Sequence, residues 1–69
     1  MTEILLDGKP HIDLCDLLKV AGFAPTGGVG KHLVAAGEVK VDGEVELRKR
    51  AKIRTGQVVE FKGEKVKVL

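Results

Sequence analysis

The sequence predicts an α+β fold in which two short helices pack on a small, mostly antiparallel sheet. Three observations support this prediction. Apolar residues recur at helical spacing between positions 14 and 21, they alternate with polar residues from position 39 onward, and glycine-containing turns separate the later apolar runs. The length of 69 residues fits a single domain over residues 1–69 with a thin core.

The N-terminal part predicts a strand followed by a helix. Residues 3–6 form a short apolar run that ends at Asp7-Gly8, a typical turn pair. The apolar residues that then share one helical face are Leu14, Leu17, Leu18 and Ala21. Gly22 is expected to end this first helix, because glycine readily adopts the left-handed conformation found there.

A second helix is predicted over residues 28–36, with Thr26 as its N-cap and Gly37 as its end. Val29 and Leu33 share one face of it. Each interior glycine lowers helix stability by about 1 kcal/mol. The glycine-rich first turn must therefore be stabilised by packing on the first helix, where its backbone can approach closely, or by contact with a partner.

After Gly37 the spacing of apolar residues changes to two. Val39 and Val41 alternate with Lys40, so the valines are expected to face the core and Lys40 the solvent. Asp42-Gly43 predicts a hairpin turn. The return strand is predicted to begin with Val45 and Leu47, Ile53 to rejoin the core, and two further strands to cover residues 57–61 and 66–69.

Positive charge is concentrated in residues 48–54, which we call the basic segment; five of its seven residues are Lys or Arg and none is acidic. Residues 31–69 have a net charge of +4 and residues 1–30 one of −2, so the chain is only weakly basic overall, at +2. A local cationic patch on a nearly neutral protein suits defined contacts with a polyanion. An ordinary solvated surface is the alternative interpretation.

Signals for catalysis or metal binding are weak. The chain has no serine, and His11, His32 and Cys15 are isolated instead of paired at metal-ligand spacing. The segment TGGVGKH is similar to a phosphate-binding loop, but Pro25 and His32 stand where that loop needs glycine and a hydroxyl residue. We therefore expect no enzyme activity, no metal and no cofactor.

The same composition predicts a cytoplasmic protein. A single cysteine excludes an internal disulfide, which suits a reducing compartment. No apolar run reaches the roughly 18 residues of a transmembrane helix, and the N-terminus lacks the pattern of a secretory signal. We expect no membrane contact and a monomer.

The span from Thr26 to Phe61 resembles the S-four RNA-binding domain, which is named after the fourth protein of the small ribosomal subunit. The resemblance is carried by KHLVAAG at 31–37, EVKVDG at 38–43, RKR at 48–50 and GQVVE at 56–60. With the first helix, LCDLLKVAG, included, it covers nearly the whole chain. The sequence looks most like the small stand-alone bacterial proteins of the YbcJ-like group.

This resemblance implies binding to structured RNA, at the ribosome or elsewhere in RNA metabolism, through the start of the second helix and the facing hairpin. The residues that it implies are Thr26, Lys31, Lys40, Arg48, Lys49, Arg50 and Lys52. We add His32, which adjoins Lys31, and Arg54, which ends the basic segment. Many family members have arginine and alanine where this chain has Gly27 and Gly30, so one expected cation is missing.

Recognition is expected to depend on phosphates and RNA shape. Phe23 and Phe61 are the only aromatic residues, and both are predicted to lie in the core. Proteins that read single strands usually stack bases on several aromatic rings, so base specificity should be weak here. Two other partners fit the same cations: duplex DNA, or an acidic protein for which the chain would be an interaction module.

Overall fold

A computed structural model describes residues 2–69 and confirms the α+β class. The elements in chain order are β1 (Thr2–Ile4), β2 (Ile12–Asp13), α1 (Leu14–Val20), α2 (Gly27–Ala35), β3 (Val39–Val41), β4 (Glu44–Val45), β5 (Lys52–Ile53), β6 (Val58–Phe61) and β7 (Glu64–Val68). Each predicted helix and strand region has a counterpart, although several bounds shift by one or two residues.

The main sheet has five strands in the order β1-β7-β6-β3-β4. Its neighbours are antiparallel except for β1, which runs parallel to β7 with Thr2 opposite Val66. A separate two-stranded ribbon pairs β2 with β5 and places Ile12 opposite Ile53. The sequence did not predict this ribbon, because two-residue strands are too short to show alternation.

The core lies between the two helices and the inner face of the main sheet. The fully buried large side chains are Leu14, Leu17, Leu18, Val34, Val39, Ile53, Val59, Val66 and Val68. Lys40 is exposed between buried Val39 and half-buried Val41, as the alternation predicted. The rings of Phe23 and Phe61 pack with centroids 5.4 Å apart, which confirms that both aromatic residues belong to the core region.

Helix α1 buries the face that its sequence predicted, with Leu14, Leu17 and Leu18 completely enclosed. Gly22 follows its end with a φ of +84°, a conformation in which a side chain would be strained. The predicted N-cap of α2 is also confirmed, since the Thr26 hydroxyl accepts a hydrogen bond from Val29 N at 3.2 Å.

Of the two residues predicted to share one face of α2, Leu33 is half-buried and packs against the core. Val29 is 38% exposed, whereas Gly30 and Val34 are the buried residues of the helix. The cause is a close approach to α1: a Cβ at Gly30 would lie 2.7 Å from the carbonyl oxygen of Cys15. A glycine contributes nothing to a pattern of apolar side chains, so the pattern could not show which face was buried.

The Asp42-Gly43 hairpin turn is confirmed and is fastened to β6. Asp42 and Gly43 have φ values of +51° and +86°, which match a turn with two left-handed residues. The Asp42 carboxylate accepts from Val58 N at 2.9 Å and from Gln57 Nε2 at 3.1 Å. These two hydrogen bonds hold the pKa of Asp42 below its ordinary value of 3.8, and the bond from Val58 N has the larger effect.

We predict that Gly30→Ala destabilises the fold by about 1–3 kcal/mol, because the new methyl group forces α2 away from the Cys15 carbonyl. Gly28→Ala is the matched control in the same turn. Its Cβ would meet only the Thr26 hydroxyl, at an ordinary 3.7 Å, so the free energy of unfolding should stay the same or rise by up to about 1 kcal/mol. Urea denaturation measures both, and equal effects would contradict a tight contact at Gly30.

Asp42→Asn should lower stability at pH 7 by about 1 kcal/mol, because the amide NH₂ cannot accept from Gln57. Asparagine tolerates the positive φ, so the backbone is not the cause. A carboxylate with a lowered folded-state pKa stabilises above its unfolded pKa, and this contribution disappears as the pH falls through the folded pKa. Denaturation at pH 7 and near pH 3 should therefore show the difference between wild type and variant shrinking in acid. A pH-independent difference would disprove this role of the carboxylate.

Candidate nucleic-acid interface

The main chain of the basic segment is anchored to the start of α1. Leu14 N donates to the carbonyl oxygen of Ala51 at 2.9 Å, and Cys15 N donates to that of Lys49 at 3.1 Å. The first N–H groups of a helix have no partner within the helix, and the side chain of the N-cap residue Asp13 makes no capping hydrogen bond here. The basic segment supplies the missing acceptors, so its position is fixed by backbone groups.

The apolar residues of the basic segment are buried and its cations are exposed. Ala51 and Ile53 are 6% and 1% exposed and attach the segment to the core. The exposed cations are Arg48, Lys49, Arg50, Lys52 and Arg54. Within residues 2–69 the ion pairs closer than 4.0 Å are His11–Asp13 and Arg48–Glu46. Lys49, Arg50, Lys52 and Arg54 are therefore without an ion-pair partner in the described part of the chain.

Arg48 is paired with Glu46. Its Nη2 and Nε atoms donate to the Glu46 carboxylate at 2.8 and 3.2 Å, and its backbone N donates to the same carboxylate at 3.2 Å. The side-chain hydrogen bond is the main cause that lowers the pKa of Glu46 and raises that of Arg48. Sequence reasoning missed this pair, because Glu46 lies outside the basic segment. The i, i+2 spacing of Glu46 and Arg48 could have indicated the pair, because it places both side chains on one side of an extended chain.

The N-terminus of α2 offers backbone donors. Gly27 and Gly28 are the first two helical residues, and their N–H groups have no acceptor among residues 2–69. Such a terminus attracts anions through its unpaired donors and its dipole. Thr26 is exposed at the N-cap, Lys31 is half-buried in the middle of α2, and His32 is exposed in its last turn. The unpaired backbone N–H groups therefore adjoin Thr26, and Lys31 follows one turn later in the helix.

An acidic side chain also lies at this helix terminus. Asp16 Oδ1, from α1, is 3.8 Å from the position that a Cβ at Gly27 would occupy. The carboxylate makes no hydrogen bond to the first turn of α2 among the described residues. Its charge opposes an approaching phosphate. Asp16 was not predicted to affect the site, because it is ten residues away in sequence and belongs to another helix.

Cys15 contacts both the basic segment and α2. Its N–H group binds the Lys49 carbonyl, and its own carbonyl oxygen contacts α2 at Gly30. The first turn of α2 and the basic segment therefore both contact the N-terminal end of α1. Cys15 itself is 3% exposed, so its contribution to this arrangement is structural.

Lys40 is not part of this cluster. It projects from the outer face of the sheet, opposite Val45 on β4 and Glu60 on β6. The helices cover the inner face, because Val39 and Val34 belong to the same core cluster. Lys40 stays a predicted contact, but an RNA would have to extend around the β3–β4 hairpin to reach it together with α2.

Other kinds of site find no support in the described residues. Within residues 2–69 no group of three or more His, Cys, Asp or Glu residues is placed to hold a metal ion. No helix in that range has the length and apolar character needed to cross a membrane.

Comparison with known proteins places the chain beside a small set of relatives. The S4 domain model matches residues 4–69. YbcJ of Escherichia coli (strain K12) is 49% identical over 69 residues, which are 100% of this chain and 99% of YbcJ. YbcJ of Shigella flexneri, described as uncharacterised, has the same identity and coverage. The solution structure of E. coli YbcJ, described as revealing an ALFAL motif involved in RNA-binding, has a TM-score of 0.77 and covers 100% of this chain and 87% of that one.

Proposed function

The chain belongs to the S4 domain family, and we propose that it is a non-catalytic protein that binds structured RNA, mainly through phosphate contacts. One observation supports the proposal: the first turn of α2 and the basic segment both contact Cys15 at the N-terminal end of α1. The involvement in RNA binding described for E. coli YbcJ, at 49% identity, supports RNA over other polyanions.

The proposed contacts combine three kinds of donor. The first turn of α2 offers backbone N–H groups to a phosphate, with Thr26 at the N-cap and with Lys31 and His32 further along the helix. Arg50 and Arg48 carry planar guanidinium groups that can fork onto two phosphate oxygens, whereas lysines act as point charges. Lys49, Lys52 and Arg54 complete the surface on the basic segment.

Anchoring of the basic segment makes this surface suitable for a defined RNA shape. Backbone hydrogen bonds to Leu14 and Cys15 hold the segment before any ligand arrives. Binding then loses less conformational freedom than it would with a flexible cationic tail. Phe23 and Phe61 are used in the core, so stacking on bases contributes little. Recognition therefore rests on the spacing of phosphates along a folded RNA.

We propose that residues 1–69 act as one domain, as a cytoplasmic monomer, at the ribosome or elsewhere in RNA metabolism. The cationic surface needs no cofactor for this role. A basic interaction module for an acidic protein is the competing function, and it would use the same side chains. The two functions are separated by direct binding to purified RNA.

The first test is a fluorescence titration of the protein with structured RNA and with duplex DNA of matched length, at about 150 mM salt. Lys49→Ala/Arg50→Ala should weaken RNA binding roughly tenfold or more and flatten the log–log salt dependence by about 0.7–0.9 per lost contact. The control Lys65→Ala/Lys67→Ala removes the same charge from β7, where both side chains are exposed. It should weaken binding by less than about threefold.

Three results would count against the proposal. Equal losses in both double variants would mean diffuse attraction without a defined surface. Equal affinity for RNA and duplex DNA would mean that RNA shape is not recognised. Absence of binding to either nucleic acid would favour an acidic protein partner.

A second test concerns the acidic residue beside α2. Asp16→Asn should increase RNA affinity by roughly two- to fivefold, because it removes a negative charge next to the proposed phosphate site. Asp7→Asn is the control, since Asp7 lies in the turn after β1 and its φ of +55° is one that asparagine accepts. The same titration compares the two variants. Identical gains would show that only net charge matters and that the start of α2 does not contact RNA.

A further inference from the structure

The Arg48–Glu46 pair has a geometry that leaves part of the guanidinium group open. Glu46 accepts from Nε and Nη2, which form one edge of the group. The outer edge, formed by Nη1 and the second hydrogen of Nη2, has no acceptor among residues 2–69. The side chain of Arg48 is 80% exposed while that of Glu46 is 19% exposed, so the open edge faces solvent and the carboxylate lies behind it.

We infer that Glu46 is a positioning residue for RNA binding, which holds Arg48 so that the outer edge of its guanidinium group receives one phosphate. This inference rests on the proposed function, because it names a device within the same site. Arg48 is the first cation of the anchored segment, and its carbonyl oxygen accepts from Ala51 N at 3.1 Å. Both its backbone and its side chain are therefore held in place.

The physical basis is preorganisation. A free arginine side chain has several rotatable bonds and loses their freedom when it grips a phosphate. Glu46 restricts these rotations in the unbound protein, because it accepts hydrogen bonds from both the side chain and the backbone N–H group of Arg48. A planar guanidinium group can bind carboxylate on one edge and phosphate on another, since its N–H donors point in fixed directions.

A simple charge argument predicts the opposite effect. Glu46 is negative and lies beside the proposed phosphate site, so its removal should strengthen RNA binding if only the total charge matters. Preorganisation predicts weaker binding. Glu44, which lies two residues earlier on β4, allows the comparison because it is exposed and forms no ion pair within the described residues.

The experiment compares Glu46→Gln with Glu44→Gln in the structured-RNA titration. Both substitutions are nearly isosteric and remove one negative charge. Glu44→Gln should leave affinity unchanged or raise it slightly. Glu46→Gln should lower affinity by about two- to fivefold and flatten the salt dependence by up to about 0.7–0.9, as expected for a weakened phosphate contact.

The same substitution in an Arg48→Ala background separates positioning from a general structural defect. If Glu46 acts through Arg48, Glu46→Gln should no longer weaken binding in that background and should behave like Glu44→Gln. A persistent loss there would overturn the inference, because a structural defect does not depend on Arg48. Thermal unfolding of each variant checks that the fold is retained.

Two outcomes distinguish this inference from the proposed function. If wild-type protein binds structured RNA and Glu46→Gln binds as tightly or more tightly, the positioning role is refuted while the function stands. If wild-type protein fails to bind structured RNA, the proposed function is refuted and the positioning role falls with it.

Discussion

The close contact between α1 and α2 is the constraint on which the rest of the site depends. The space between the Cys15 carbonyl oxygen and Gly30 admits no side chain, since a Cβ would lie at 2.7 Å. This contact sets where the first turn of α2 stands relative to α1. The N–H group of Cys15 donates to the Lys49 carbonyl oxygen. One buried residue thereby relates two surface regions that are about twenty residues apart in sequence.

Two acidic residues lie within the candidate interface. The chain has a net charge of only +2, so nonspecific attraction to a polyanion is modest. Asp16 lies beside the N-terminus of α2, and Glu46 lies behind Arg48. The first opposes a phosphate, whereas the second orders a cation that can receive one. Their opposite expected effects arise from geometry, because both carry the same charge.

Sequence patterns predicted the features that depend on neighbouring residues. The buried face of α1, the Thr26 cap, the glycine after α1 and the Asp42-Gly43 turn all follow from local spacing or backbone preference, and all are confirmed. Of the features that depend on contacts distant in sequence, the close approach of glycine backbone to the first helix was predicted, but its position at Gly30 and the two-stranded ribbon were missed. The buried face of α2 is defined by a glycine, and the β2–β5 ribbon joins segments about forty residues apart. The Arg48–Glu46 pair was missed although it is local, since the boundary of the basic segment excluded its partner.

Backbone hydrogen bonds anchor the basic segment, whereas a side-chain pair orients Arg48. Lys49 and Ala51 hold the basic segment through carbonyl oxygens, which every residue type possesses. The side chain at position 49 can therefore change without moving the segment, so the proposed RNA affinity should vary separately from stability. Arg48 differs, because its side chain is oriented by Glu46 and a substitution at either position affects both. Within the basic segment, then, main-chain hydrogen bonds at Arg48, Lys49 and Ala51 fix the path of the chain, and a carboxylate two residues before Arg48 orients its side chain.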